Sequence, residues 1–208
     1  MIRAFLAVEL SEGLRARVAQ VQRDLKQRLD RDASPRVRIS WVRPESIHLT
    51  IKFLGDIDES LVEPLRLAIE PAVKAHQPVH IPIERLGAFP HLVQPKILWV
   101  GAPEPWERGE EAQRLAALHE AVETCCDTLG FAPDARPLSP HLTLARIKEG
   151  GGHVGKALAG SGLLDRPLFL GALDVGPVVL MKSELRPLRG RLSRTSERMA
   201  VPREVESV

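Results

Sequence analysis

The chain has 208 residues, 44% of them hydrophobic and only 4% aromatic, with no Tyr and a formal net charge of +2. A chain of this length can bury roughly 70% of its unfolded surface, so it needs no disulfide or metal staple, and the core must be built from Leu, Val, Ile and Ala. The near-neutral balance makes bulk charge alone uninformative about partners, and no run of about 18 apolar residues offers a membrane span.

The two cysteines, Cys125 and Cys126, are adjacent. A bridge between helical neighbours is strained, so no disulfide framework exists, which favours a reducing compartment. The start, MIRAFLAVEL, turns charged after a short apolar run and has no cleavage-like site. It reads as structure and not as a signal peptide, so a cytoplasmic protein is expected.

In chain order, IRAFLAVEL predicts a buried strand. Ser11 offers an N-cap to a helix with Leu14, Val18, Val21, Leu25 and Leu29 at helical spacing, broken by DRDASP at 30–35. VRISWV and HLTIKFLG read as strands separated by an RPES turn. Leu61 to Ala75 predicts a second amphipathic helix. VHIPIERLGAF alternates as one half-buried strand, PHLVQP is a loop, and KILWVGA is another strand.

The second half repeats this order. Trp106 to Leu129 predicts a long helix with Leu115, His119, Val122, Cys126 and Leu129 on one stripe. FAPDARPLSP is a loop and HLTLARI a strand. EGGGHVG reads as a flexible break before a short helix from Lys156 to Leu163. PLFLGALDV, VVLMKSEL and GRLSRTSERMA complete the strands. Strands and helices mix without strict βαβ alternation. This predicts an α+β fold of mainly antiparallel sheets with helices on the outer face.

Two segments nearly repeat: RPESIHLTI at 43–51 and RPLSPHLTL at 136–144 match at six of nine positions, 93 residues apart. This is too long a period for a solenoid. It predicts one bilobal domain over residues 1–208, with two lobes related by a pseudo-twofold axis and sheets facing a central cleft. One lobe carries His48 and Thr50, the other His141 and Thr143.

Side chains alternate along a strand with period two. His48 and Thr50 therefore share a face, as do His141 and Thr143, while Leu49, Ile51, Leu142 and Leu144 anchor the opposite faces. Two imidazoles can divide the roles of base and acid, and hydroxyls can donate to a tetrahedral anion, best of all a phosphoryl group. The Gly run at 150–152 lacks the Lys-Ser/Thr of a phosphate loop. Metal binding is the rival use of paired His, but it calls for three or four ligands, and neither His has a Cys, Asp or second His at i+2 or i+4. No metal and no cofactor are expected. A further alternative is two core histidines satisfied by backbone bonds.

Two H-x-T-x tetrapeptides about a hundred residues apart resemble the two-histidine (2H) phosphoesterases. The likeness is to the RNA 2′,3′-cyclic phosphodiesterases, also called LigT-like or 2′-5′ RNA ligase-like proteins. IRAFLAVEL, IHLTIKFLGDI, RLGAFP followed by ILWVG, and PHLTLAR carry the resemblance, which runs along nearly the whole chain. It implies metal-independent hydrolysis of RNA or nucleotide 2′,3′-cyclic phosphate ends to 2′-phosphates, with 2′-5′ ligation as a side activity. His48 is the implied proton donor and His141 the proton acceptor. Thr50, Thr143 and Arg146 are the implied phosphate-binding residues.

Strict alternation puts Arg146 on the face opposite His141, so a bend must bring it round. Lys52 falls on the His48 face, either adding charge there or simply facing solvent, and Phe53 sits where a base can stack or where a core Phe belongs. His91 and His153 are expected in loops bordering the cleft and, with His76, His80 and His119, outside the chemistry. Leu192 stands where the family often carries an aromatic. From Lys182 to Arg203, seven Lys/Arg face two Glu, which suits either RNA contact or a charged, solvated edge strand. The expected partner is an RNA or nucleotide with a cyclic phosphate end, bound by a monomer away from any membrane. The alternatives are a non-catalytic nucleotide sensor and a phosphodiesterase for small cyclic phosphates such as ADP-ribose derivatives.

Overall fold

The computed structural model describes residues 1–31, 36–164, 166–188 and 191–198, with side chains up to residue 183. Strand β1 (Ile2–Glu9) leads into helix α1 (Glu12–Arg31), followed by β2 (Arg38–Trp41) and β3 (His48–Ile57). Helix α2 (Val62–Ala75) precedes three short strands, β4 (Val79–Pro82), β5 (Arg85–Phe89) and β6 (Ile97–Gly101). Helix α3 (Glu110–Thr128), β7 (His141–Glu149) and α4 (Gly151–Gly160) follow. The last strands are β8 (Ala172–Val175), β9 (Val179–Leu188) and β10 (Arg191–Arg198).

The expected α+β architecture holds. One sheet runs β10-β9-β1-β3-β7-β6-β5, with β2 added against β7, and its pairings are antiparallel. Strands β4 and β8 form a separate pair. The large sheet is two sets of four, β10-β9-β1-β3 and β5-β6-β7-β2, joined by a single bridge, Leu49 to Leu142. The two His-Leu-Thr segments are thus the seam between the halves.

Ser11 caps α1, its hydroxyl accepting from Leu14 N at 3.4 Å and its carbonyl from Arg15 N at 2.9 Å. The apolar stripe Leu14, Val18, Leu25 and Leu29 is buried against the sheet in one aliphatic core with Leu49, Ile51, Leu142 and Leu144. Each such side chain contributes about 1.5–3 kcal/mol on full burial. α3 lies against β3 and β4 and packs on α2, while α1 packs on α4 and on the turn at 44–46. Phe5, Ala7, Val179 and Met181 form a second small cluster across the sheet from that core.

Three sequence expectations are corrected. VHIPIERLGAF is not one strand: it divides between the small pair and the large sheet, because Ile83 N turns away to bond Gly171 O at 2.8 Å. EGGGHVG is not a flexible break, and His153 is not in a loop. Helix α4 starts at Gly151, after Gly150 takes a left-handed φ of 77°. A Cβ at Gly155 would lie 2.4 Å from Leu92 O, so the glycines here serve close packing of this helix on the 91–95 loop.

GRLSRTSERMA does supply the edge strand, β10. The break at 32–35 lies outside the described residues, as does Arg203. The side chains of Leu192 and of the basic run from Arg186 onward also lie outside the description. Among the described residues no helix is long and apolar enough to cross a membrane.

Candidate active site

Antiparallel pairing of Leu49 with Leu142 sets His48 on the Thr143 side of the bridge and Thr50 on the His141 side. Paired residues point the same way and neighbours alternate. The buried Leu49 and Leu142 therefore face the core, and His48, Thr50, His141 and Thr143 all face the other side, each half-buried. The two histidines are diagonal neighbours across the seam. A regular ladder separates such pairs by about 7–8 Å, a gap that one phosphoryl group spans.

Both imidazoles turn Nδ1 towards the backbone two residues earlier, but only His141 is hydrogen-bonded to it. His141 Nδ1 lies 2.7 Å from the carbonyl of Ser139, two residues earlier. His48 Nδ1 is buried and meets no partner at full hydrogen-bond geometry. The backbone of Ser46, again two residues earlier, nonetheless favours its protonated form. Nδ1 faces backbone in both cases, which leaves Nε2 as the ring nitrogen turned away from it. His48 stacks on Phe5 with ring centroids 4.6 Å apart, and His141 takes the edge of Phe89 at 4.9 Å with Trp99 at 6.3 Å.

Burial therefore dominates the titration of both rings. It pushes His48 down from 6.5 to about 4, and the Arg146 and His141 charges push the same way against the Ser46 backbone. His141 is lowered as well, first by burial and then by Arg146, against its Ser139 hydrogen bond. Arg146 thus acts on both rings, although alternation predicts it on the other face.

A β-bulge resolves that conflict. Trp99 pairs with Thr143 and Leu98 with Ala145, so Leu144 is an extra residue on the β6 side. Leu144 and Ala145 both turn to the core, and Arg146 emerges on the histidine side. β3 does the same at the same offset: Ala7 pairs with Thr50 and Leu6 with Lys52, leaving Ile51 extra.

Lys52 is thereby turned away from the histidines. It is neither a site charge nor a solvent-facing residue, at 1% exposure, and its Nζ donates to Glu123 Oε1 and Oε2 at 2.8 and 2.7 Å and to Ala132 O at 2.9 Å. Phe53, five residues after His48, is turned onto the site side. It is 62% exposed, with its ring 6.0 Å from Phe5.

The remaining histidines lie elsewhere. His80 pairs with Asp174 at 2.6 Å on the small sheet, and His91 Nδ1 accepts from Gln94 N at 3.2 Å. His153 lines a groove of about 390 Å³ with Leu92, Val93 and Lys156. His119, Glu123 and Asp134 are the metal-capable cluster among the described residues. The cation that Glu123 holds there is the Lys52 ammonium.

Phe5, Phe89 and Trp99 are site residues that the sequence reading missed. The available signal was rarity, since only eight aromatics occur in the chain.

The model of LigT-like phosphoesterases matches residues 8–99 and 108–160. An RNA 2′,3′-cyclic phosphodiesterase of Methanothermobacter thermautotrophicus is 31% identical over 186 residues, covering 89% of this chain and 92% of the relative. Another of the same name, from Aquifex aeolicus, is 27% identical over 71% of this chain and 72% of its own. The crystal structure of Escherichia coli LigT in its apo form superposes with a TM-score of 0.63 at 21% identity, over 95% of this chain and 96% of that one. LigT complexed with 3′-AMP superposes with a TM-score of 0.60 at 20% identity, over 96% and 98%.

Proposed function

This chain belongs to the LigT-like phosphoesterases, and on that premise we propose that it hydrolyses RNA or nucleotide 2′,3′-cyclic phosphates to 2′-phosphates. The observation that carries the reading is the Leu49–Leu142 seam, which groups two imidazoles and two hydroxyls on one face. Residues 1–208 act as one bilobal unit, a monomer, with each half of the sheet supplying one His-x-Thr segment.

His141 Nε2 takes a proton from water as the water oxygen bonds to phosphorus. The bond from phosphorus to the 3′ oxygen breaks, and His48 Nε2 gives that oxygen its proton. Each role contributes about 10²–10⁴ in rate. Thr50, Thr143 and Arg146 donate to the non-bridging oxygens as charge gathers on them. No Lewis acid is needed, because the donors and the acid–base pair supply that stabilisation. Afterwards His141 is protonated and His48 neutral, and exchange with solvent restores the pair.

The depressed basicity of His48 ties its charging to the substrate. Near pH 7 its ring is neutral in the free protein. A phosphate anion on Arg146 screens the guanidinium that disfavours the imidazolium and attracts the proton in its place.

The test is turnover of adenosine 2′,3′-cyclic phosphate, and of an oligonucleotide with a cyclic end, in excess EDTA. Turnover to the 2′-phosphate is expected, with a loss of about 10²-fold or more in His48→Ala and in His141→Ala. Near-wild-type rates in either variant, or loss in EDTA restored by a divalent ion, refute the scheme. Binding without product would mark a sensor instead.

A further inference from the structure

Strand β7 changes partners part-way along. It pairs with β2 through Trp41 and Ala145, and with β3 at Leu142. At such a fork the ladder ends, and a buried carbonyl left without a donor there costs about 1–3 kcal/mol. The two carbonyls at this fork are those of Val42 and Leu144, and one side chain reaches both. Gln22, on the otherwise apolar inner face of α1, is 7% exposed. Its amide nitrogen donates to Val42 O at 2.7 Å and to Leu144 O at 2.9 Å, which uses both of its hydrogens. Leu144 O also accepts from Val42 N at 2.9 Å.

Leu144 is the extra residue of the bulge that turns Arg146 towards the histidines. It stands between Thr143, on the site face, and Arg146, two residues on. A helix that merely packed on this sheet would put Leu or Ala at the position of Gln22, as α1 does at Val18, Ala19 and Leu25. We infer that Gln22 is a positioning residue for Arg146: it fixes the bulge at Leu144 from the helix side and so sets where the guanidinium meets the substrate phosphate. The inference rests on the reading that Arg146 holds phosphate.

A double-mutant cycle tests it. Gln22→Met, Arg146→Ala and the double variant are compared for turnover of adenosine 2′,3′-cyclic phosphate and for affinity for inorganic phosphate, with thermal unfolding to show that each folds. Gln22→Met is expected to lower kcat/KM by about 10-fold, to weaken phosphate, and to move the acidic limb of the pH profile in the same direction as Arg146→Ala. In the Arg146→Ala background it should change kcat/KM less than about twofold, because coupled residues are not additive. Gln22→Asn, which keeps the amide but is one methylene short, replaces Gln22→Met in the cycle if the latter does not fold.

Equal effects of the Gln22 change with and without Arg146 would mean that it supports the fold alone, and would overturn the inference. If Arg146→Ala by itself changes neither turnover nor phosphate affinity, the phosphate role of Arg146 fails, and the inference fails with it.

Discussion

Phe53 and Arg146 are structural equivalents. Each lies five residues beyond a histidine, and each is swung onto the histidine side by one extra residue in its strand, Ile51 or Leu144. The antiparallel seam that sets His48 against His141 therefore sets an exposed aromatic ring against a guanidinium. A symmetric frame thus offers an asymmetric surface, apolar on one side and charged on the other. A nucleotide with a base at one end and a phosphate at the other suits both.

On that arrangement the two residues should fail differently. Arg146→Ala should weaken inorganic phosphate and lower kcat for cyclic nucleotides by about 10–10³-fold, the loss of one charge-stabilising donor. Phe53→Ala should raise KM about 5–100-fold, since stacking a base is worth about 1–3 kcal/mol, and should leave phosphate affinity unchanged. Steady-state kinetics and phosphate titration separate these outcomes. A Phe53→Ala variant with unchanged KM would remove the ring from substrate binding.

The pH dependence follows from the lowered pKa values. A lowered pKa keeps an imidazole neutral to lower pH, so the acidic limb of kcat/KM should lie below 6.5. Arg146→Ala removes a positive charge that disfavours both imidazolium ions, so the limb should then move up towards 6.5. NMR titration of the His48 ring in the free protein should give a midpoint near 4. Stability has the same sign. The unfolded chain binds more protons between about 4 and 6.5, so the contribution of His48 is complete above 6.5 and is lost as pH falls towards 4. Thermal unfolding of His48→Gln should be less acid-sensitive across that window.

Much of this was legible in the sequence because its signals are local. Ser11 and the Leu14–Leu29 stripe mark α1, and the duplicated His-x-Thr marks the seam. The bulges are invisible to strict period-two alternation. Yet the apolar phase shows them: Leu142 and Leu144 are followed by Ala145 and Ile147, and Leu49 and Ile51 by Leu54. The core positions change parity behind each histidine, and Arg146 needed that change to reach the site. The same parity change behind Ile51 turns Lys52 to the core. No local pattern distinguishes a lysine bound for Glu123, 71 residues away, from one bound for water.

Lys52 should accordingly matter to the fold. It is the ammonium of a nearly dry ion pair, at 1% exposure against 14% for Glu123, and Glu123 also accepts from Asp134 N at 3.1 Å, in the loop that leads to His141. Lys52→Met should cost about 3–5 kcal/mol, the usual cost of leaving one buried partner alone. Adding Glu123→Leu should recover part of that loss, as chemical denaturation of the three variants would reveal. A cost below about 1 kcal/mol for Lys52→Met would mean that the pair is hydrated and contributes little.

Gly87 tests the other wall of the site. It pairs with Trp99, and a Cβ there would lie 2.2 Å from Trp99 Cζ2. Arg85 sits over the same indole, 5.2 Å from the ring centroid, tied by Glu104 at 3.1 Å and by Glu107. The ring therefore cannot lift away from the sheet without disturbing that cation. It can shift sideways, towards Phe89 at 5.2 Å and His141 at 6.3 Å. Gly87→Ala should cost about 1–3 kcal/mol, the usual penalty for overpacking, and should lower kcat more than it raises KM, because what it displaces is the wall behind the proposed base. Trp99→Phe in the Gly87→Ala background gives the methyl group room and should restore part of the turnover. If Gly87→Ala retains full turnover, the indole does not set the position of His141.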